Sequence, residues 1–90
     1  MRADKKAVAR LLKTARGQID GILKMIEEDR YCVDVSNQLM ATQSILTKAN
    51  REILKAHIEG CVQEAFDSGD EAQREARMQE ILSLLDKLGR

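Results

Sequence analysis

Residues 33–66 read VDVSNQLMATQSILTKANREILKAHIEGCVQEAF, and no proline interrupts them. Val35, Leu39, Leu46, Ala49, Ile53, Ile58 and Val62 recur along this stretch at helical steps, with Ile45 and Leu54 widening the stripe. That period predicts one amphipathic helix over about Val33 to Phe66. Globular helices usually run roughly 8–20 residues, so this one is unusually long. A helix of that length protrudes from any compact monomer of this size. It needs a partner helix along its length, and a bundle shared between chains supplies one.

The flanking sequence completes an all-α reading. Val8, Leu11, Leu12, Ala15, Ile19, Ile22, Met25 and Ile26 predict a first helix from about Lys5 to Asp29. The pattern breaks near Glu27–Tyr31 without glycine or proline, and Asp29 or Asp34 is the expected cap of the second helix. Asp67-Ser68-Gly69-Asp70 is the clearest turn. Gly69 suits a helix C-terminus and Asp70 or Ser68 suits the next N-terminus. Met78, Ile81, Leu82, Leu85 and Leu88 give a third helix over about Glu71 to Leu88. Gly17 and Gly21, four apart, form either a bare strip for close helix approach or two tolerated glycines. Residues 1–90 form one small domain, too short to bury a large core alone.

Net charge is zero but polarised. Residues 1–16 carry Arg2, Lys5, Lys6, Arg10, Lys13 and Arg16 against Asp4 alone. Residues 59–90 carry eight acids against four bases. A basic face can bind a polyanion while the whole chain stays neutral. Arg10, Lys13 and Arg16 lie off the apolar stripe of the first helix, and Lys48, Arg51 and Lys55 repeat the spacing in the second. Such rows are either phosphate-binding surfaces or solvated helix faces. No apolar run approaches the ~18 residues of a membrane span. The first residues hold no apolar stretch of signal-peptide length. The expected location is therefore the cytoplasm, where thiols stay reduced.

Cys32 and Cys61 are the only cysteines, and His57 is the only histidine. His57 and Cys61, four apart, share a helix face. Cys32 lies about 37 Å from His57 if one helix carries both, at about 1.5 Å per residue. The three meet only if a second chain runs antiparallel alongside. Two thiolates and an imidazole suit Cu(I) or zinc over hard cations. Structural zinc wants a fourth ligand, whereas three soft donors suit Cu(I). Reactive thiols of a redox sensor and inert buried cysteines are the alternative readings. One histidine and two cysteines on an amphipathic bundle offer no pocket with a nucleophile and a separate base, so an enzyme is not expected.

The run IEEDRYCVDVSNQLMATQSIL followed by LKAHIEGCVQEA resembles the CsoR family, the copper-sensitive operon repressors, over about Leu11 to Ala65. The resemblance implies three helices per chain, an antiparallel four-helix bundle formed by a dimer, and a dimer of dimers. It implies a repressor that binds double-stranded operator DNA in the apo form and lets go when Cu(I) binds between Cys32 of one protomer and His57 and Cys61 of the other. The family's nickel and cobalt sensors replace the final cysteine with histidine, and its persulfide sensors lack the histidine. His57 with Cys61 therefore points to Cu(I), with persulfide sensing through the same two cysteines as the alternative. A helical interaction module without DNA is a third reading.

The same resemblance gives Tyr31 and a third-helix glutamate as partners of the histidine. Glu71, Glu75 and Glu80 all qualify for the second place, and Tyr31 alternatively plugs a helix start. The chain departs from the family at LLKTARGQ, residues 11–18. Leu11 stands where an arginine is usual, Ala15 replaces an isoleucine and Arg16 replaces a glutamate. Arg10, Lys13, Arg16, Lys48 and Arg51 are the candidate DNA contacts, Lys48 standing where other members carry a DNA-linked arginine.

Overall fold

The structure, a computed structural model, describes residues 1–88, the Ser68 side chain excepted. Three helices make it up: α1 (Lys5–Glu27), α2 (Cys32–Ser68) and α3 (Glu71–Leu88). The 37-residue α2 is the axis. The α1 helix lies antiparallel along its first part, with Val8 beside Ala49 and Gln18 opposite Thr42. The α3 helix folds back along its last part, with Glu80 reaching His57 and Arg74 reaching Ala65. Among the described residues α1 and α3 do not touch.

Burial follows a seven-residue repeat. Val8, Ala15 and Ile22 are buried on α1, with Leu11, Gln18 and Met25 half-buried between them. Val35, Thr42, Ala49 and Ala56 answer on α2 at the same interval. This is the seam of two helices packed knobs-into-holes. Thr42, 4 % exposed, donates its hydroxyl hydrogen to Gln18 Oε1 at 2.8 Å, with the Gln38 carbonyl at 3.2 Å. The bond satisfies a polar group inside the seam, and its loss would leave that group unpaired.

A second apolar seam is left bare. Leu12, Ile19 and Ile26 repeat every seven residues on α1 and are 45, 44 and 57 % exposed. Leu39 and Leu46 do the same on α2. Among the described residues no large side chain is fully buried. The molecule measures 59 × 27 × 12 Å, so it is one helix thick, and its radius of gyration is 18.0 Å. A compact domain of this length has a radius of about 12 Å. Gly17 and Gly21 open outward; a methyl on either would meet nothing within 4 Å. Of the two readings of this pair, close helix approach is not made within the chain.

The helix ends are built from local chemistry. Asp4 caps α1, its Oδ1 accepting from the Lys6 and Ala7 amides at 3.0 and 3.2 Å. Asp70, one of the two expected caps, does the same for α3 through Ala72 and Gln73. Gly69 ends α2 at φ 66°, the left-handed region expected of it. The α1–α2 boundary differs from expectation. Asp29 does not cap α2 but closes α1, at φ 51°. Its amide donates to Ile26 O and the Arg30 amide to Met25 O, the paired bonds of a Schellman end. Asp34 lies inside the first turn of α2, where its charge suits the helix dipole. The N-cap residue is Tyr31, whose side chain makes no cap bond.

Left-handed backbone costs an L-residue roughly 1–2 kcal/mol, which glycine avoids. Asp29→Gly is expected to stabilise the protein, and Gly69→Ala to destabilise it, each by about 1 kcal/mol. Urea unfolding at one fixed protein concentration checks both; a destabilised Asp29→Gly contradicts the Schellman assignment.

Candidate metal centre

One face of α2, where α3 crosses back over it, gathers the ligand-type side chains. His57 and Cys61 occupy successive turns, with Nε2 and Sγ 3.5 Å apart. From α3, Glu80 Oε1 comes within 2.5 Å of His57 Nε2. Ligand atoms of His57, Cys61 and Glu80 all lie within 4.8 Å of one another. The imidazole is half-buried and the thiol is 5 % exposed. Neither cysteine is in a disulfide.

Glu80 is itself held. Arg77 Nη1, one turn earlier on α3, donates to its other oxygen at 2.8 Å. The bond from His57 and then the bond from Arg77 keep the Glu80 carboxyl below its usual value, against a smaller opposing effect of burial. Glu80 thus stays a carboxylate and accepts from both donors. Of Glu71, Glu75 and Glu80, only Glu80 meets the imidazole. Helix register sets this: α3 folds back from Gly69, and Glu80 is the residue that draws level with His57. Arg77 escaped the sequence reading because an i,i+3 pair on a charged helix is indistinguishable from a solvated one until its neighbour is known.

Cys32 is elsewhere. It opens α2, exposed, beside a shallow apolar hollow formed with Ile26, Val35 and Leu39. The same unbroken helix carries His57, so about 37 Å separates the two. Tyr31 lies next to Cys32, 69 % exposed and equally far from His57 within the chain.

The basic residues divide into two shallow grooves. Arg10 and Lys13 line one on α1 with Lys6, which belongs to the same row. Lys48 and Arg51 line another on α2 with Gln43 and Thr47. Arg16 is exposed one turn beyond Lys13. Among the described residues none of Arg10, Lys13, Arg16, Lys48 and Arg51 is ion-paired with a carboxylate, although Glu52 lines the groove of Lys48 and Arg51. No helix among these residues is long and apolar enough to cross a membrane.

Residues 4–87 match the family model of the metal-sensitive transcriptional repressors. A copper-sensing transcriptional repressor of Mycobacterium ulcerans is 52 % identical over 65 residues, covering 72 % of this chain and 56 % of its own length. The chain thus spans about half the length of the mycobacterial relatives it matches. The copper-sensing repressor of Bacillus subtilis is 33 % identical over 84 residues, 93 % of this chain and 83 % of its own. Among solved structures, the copper-sensing repressor CsoR with Cu(I) from Geobacillus thermodenitrificans superposes with a TM-score of 0.81 at 27 % identity, covering all of this chain and 94 % of that one. The nickel-responsive regulator InrS superposes with a TM-score of 0.80 at 28 % identity, over 92 % of this chain and 93 % of that one. These relatives are transcriptional regulators rather than enzymes, and the chain belongs to the metal-sensitive transcriptional repressor family.

Proposed function

We propose that this chain is a cytoplasmic operator-binding repressor, residues 1–90 acting as one unit, that is released from DNA by Cu(I). The ion is held by Cys32 of one protomer with His57 and Cys61 of another. One observation carries this reading: His57 and Cys61 share one face of α2, with Nε2 and Sγ 3.5 Å apart, whereas Cys32 is far down the same unbroken helix. The site is incomplete in one chain, and a second chain antiparallel to the first supplies the missing thiol. The bare seam of Leu12, Ile19, Ile26, Leu39 and Leu46 is the surface that such a copy covers, giving a four-helix bundle, two of which pair as a tetramer. The neighbouring Tyr31 then arrives beside the partner's imidazole.

Donor chemistry favours Cu(I). Nickel-responsive and copper-sensing relatives share this fold, so the ligands choose the metal rather than the backbone. Two thiolates and an imidazole are a soft set. Glu80 is engaged by His57 and Arg77, and so serves as the imidazole's partner rather than as a fourth ligand. A carboxylate accepting the Nε2 proton fixes the tautomer and leaves the Nδ1 lone pair free for a metal. The unpaired rows of Arg10, Lys13 and Arg16 and of Lys48 and Arg51, repeated by symmetry, make a surface for DNA phosphates. Metal capture and DNA binding favour different arrangements of the same helices, so each weakens the other by the same factor.

Anaerobic Cu(I) titration is expected to saturate at a single ion per chain and to lower affinity for a duplex from the gene's own promoter by about 5–150-fold. His57→Ala or Cys32→Ala should abolish the release, read by fluorescence anisotropy. A His57→Ala protein that still lets go of DNA rules copper sensing out, and release by a persulfide donor would then assign the cysteines to sulfur chemistry. Lys48→Ala should reduce the slope of log affinity against log salt by about 1.

Glu80 gives a separate, metal-free test. Its pKa is lowered on folding, so its contribution to stability is present above the unfolded carboxylate value and is lost as pH falls through the lowered one. Glu80→Gln is expected to flatten the acid limb of stability below about pH 5. It should also weaken Cu(I) binding about 10–100-fold. Urea unfolding across that pH range and competition against a Cu(I) chelator measure the two.

A further inference from the structure

The first residues of the chain are tied down at every position from 2 to 4. Arg2 crosses to α2 and pairs with Glu64, donating from Nη2 to Oε1. Ala3 is buried with Val8 and Ala49, against Ile53 and Ala56. Asp4 caps α1. To reach Glu64, the Arg2 side chain lies flat over Gly60. A methyl built on Gly60 would fall 2.6 Å from Arg2 Cδ and 2.8 Å from Cζ, so any larger residue there would push the Arg2 side chain off this path. Gly60 and Glu64 bracket Cys61 on α2. Pairing with Glu64 raises the Arg2 pKa further above its usual value, against a smaller opposing effect of burial. Two residues past the Asp4 cap begins the row of Lys6, Arg10 and Lys13.

We propose that Arg2 is a positioning residue of the metal response: its path over Gly60 to Glu64 straps the start of α1 to the turn of α2 that carries Cys61, so that capture at Cys61 is transmitted to the basic row of α1. The inference rests on the copper-responsive reading above. Capture changes charge and crowding beside Gly60 and Glu64, and the strap must re-seat. Because residues 2–4 are anchored in succession, re-seating Arg2 disturbs Ala3 and the Asp4 cap, and with them the first turn of α1. The basic row on α1 then loses its alignment with the row on α2. An exposed ion pair is individually weak, so the strap carries part of the coupling rather than all of it.

The test compares wild type with Arg2→Ala, Glu64→Gln and Gly60→Ala. Affinity for the gene's own promoter duplex is measured with and without Cu(I), and the quantity read is the ratio of the two. Each variant is expected to lower that ratio by about 1.4–5-fold. In each, amides of residues 3–10 should exchange hydrogen several-fold faster by mass spectrometry, as they should in copper-loaded wild type. Glu64→Gln keeps the Arg2 charge, so if Arg2→Ala alone alters DNA binding, Arg2 is only a phosphate contact and the strap is overturned. Gly60→Ala raises helix propensity, so its loss of coupling cannot come from a weakened α2. If wild type responds to copper and all three variants keep its ratio, the strap falls while the copper reading stands. If wild type itself does not respond, the copper reading falls and takes the strap with it.

Discussion

A helix of 37 residues is about 55 Å long, and nothing within a 90-residue chain can wrap it. The α1 helix covers one side of its first part and α3 covers one side of its last. What remains is a slab 12 Å thick with a complete apolar seam on an open face. The same length that prevents α2 from being buried also separates Cys32 from His57 and Cys61. An incomplete core and an incomplete ligand set thus have one cause. A second copy laid antiparallel relieves both, which is why oligomerisation and metal capture belong to a single device in the proposed function.

The His57–Glu80–Arg77 contact sets the chemistry at the other end of this geometry. A carboxylate between an imidazole and a guanidinium is held ionised and aimed. The contact also joins α2 to α3, so a change in the hydrogen bonding of His57 is felt by α3. Cys61 needs no such partner to be placed, because it is buried one turn along the same helix. In the proposed function, His57 and Cys61 are therefore placed together within one chain, and Cys32, the thiol a second chain would supply, is the exposed one.

Much of this was readable from residue spacing. The period of Val8, Ala15 and Ile22 and of Val35, Ala49 and Ile53 placed two helices, and Asp67–Asp70 placed the turn to the third. The four-residue interval from His57 to Cys61 put both on one face. The misreadings have local causes. Asp29 adopts left-handed backbone, which aspartate tolerates, so a residue that looked like an N-cap serves as a C-terminal stop. Thr42 interrupts the apolar pattern, yet it is buried because Gln18 from another helix answers it, and no single-helix pattern records such a partner. The apolar stripes also proved wider than the buried ones. Leu12, Ile19, Leu39 and Leu46 have the right period but face away from the chain's own core. Glu80 could not be chosen over Glu71 and Glu75 because the choice depends on where α3 draws level with His57.

Charge polarity has a different meaning once the fold is known. The excess of acids falls in the last third of the sequence, and Glu64, Glu80 and Arg77 there are already committed to contacts with Arg2, His57 and each other. The basic residues of α1 and the middle of α2 are not so committed. Zero net charge therefore does not describe what DNA meets in the proposed function: phosphates meet the unpaired rows, with Glu52 also lining the groove of Lys48 and Arg51, while Glu64 and Glu80 lie at the far end of α2 beside His57 and Cys61. In that function a cation captured at the acidic end is attracted by its surroundings, and the basic rows attract a polyanion. Opposition between the two ligands must then come through helix packing rather than direct charge repulsion. A slab with a thin core and an intersubunit seam is well suited to that, because small displacements of α1 against α2 meet little packed resistance.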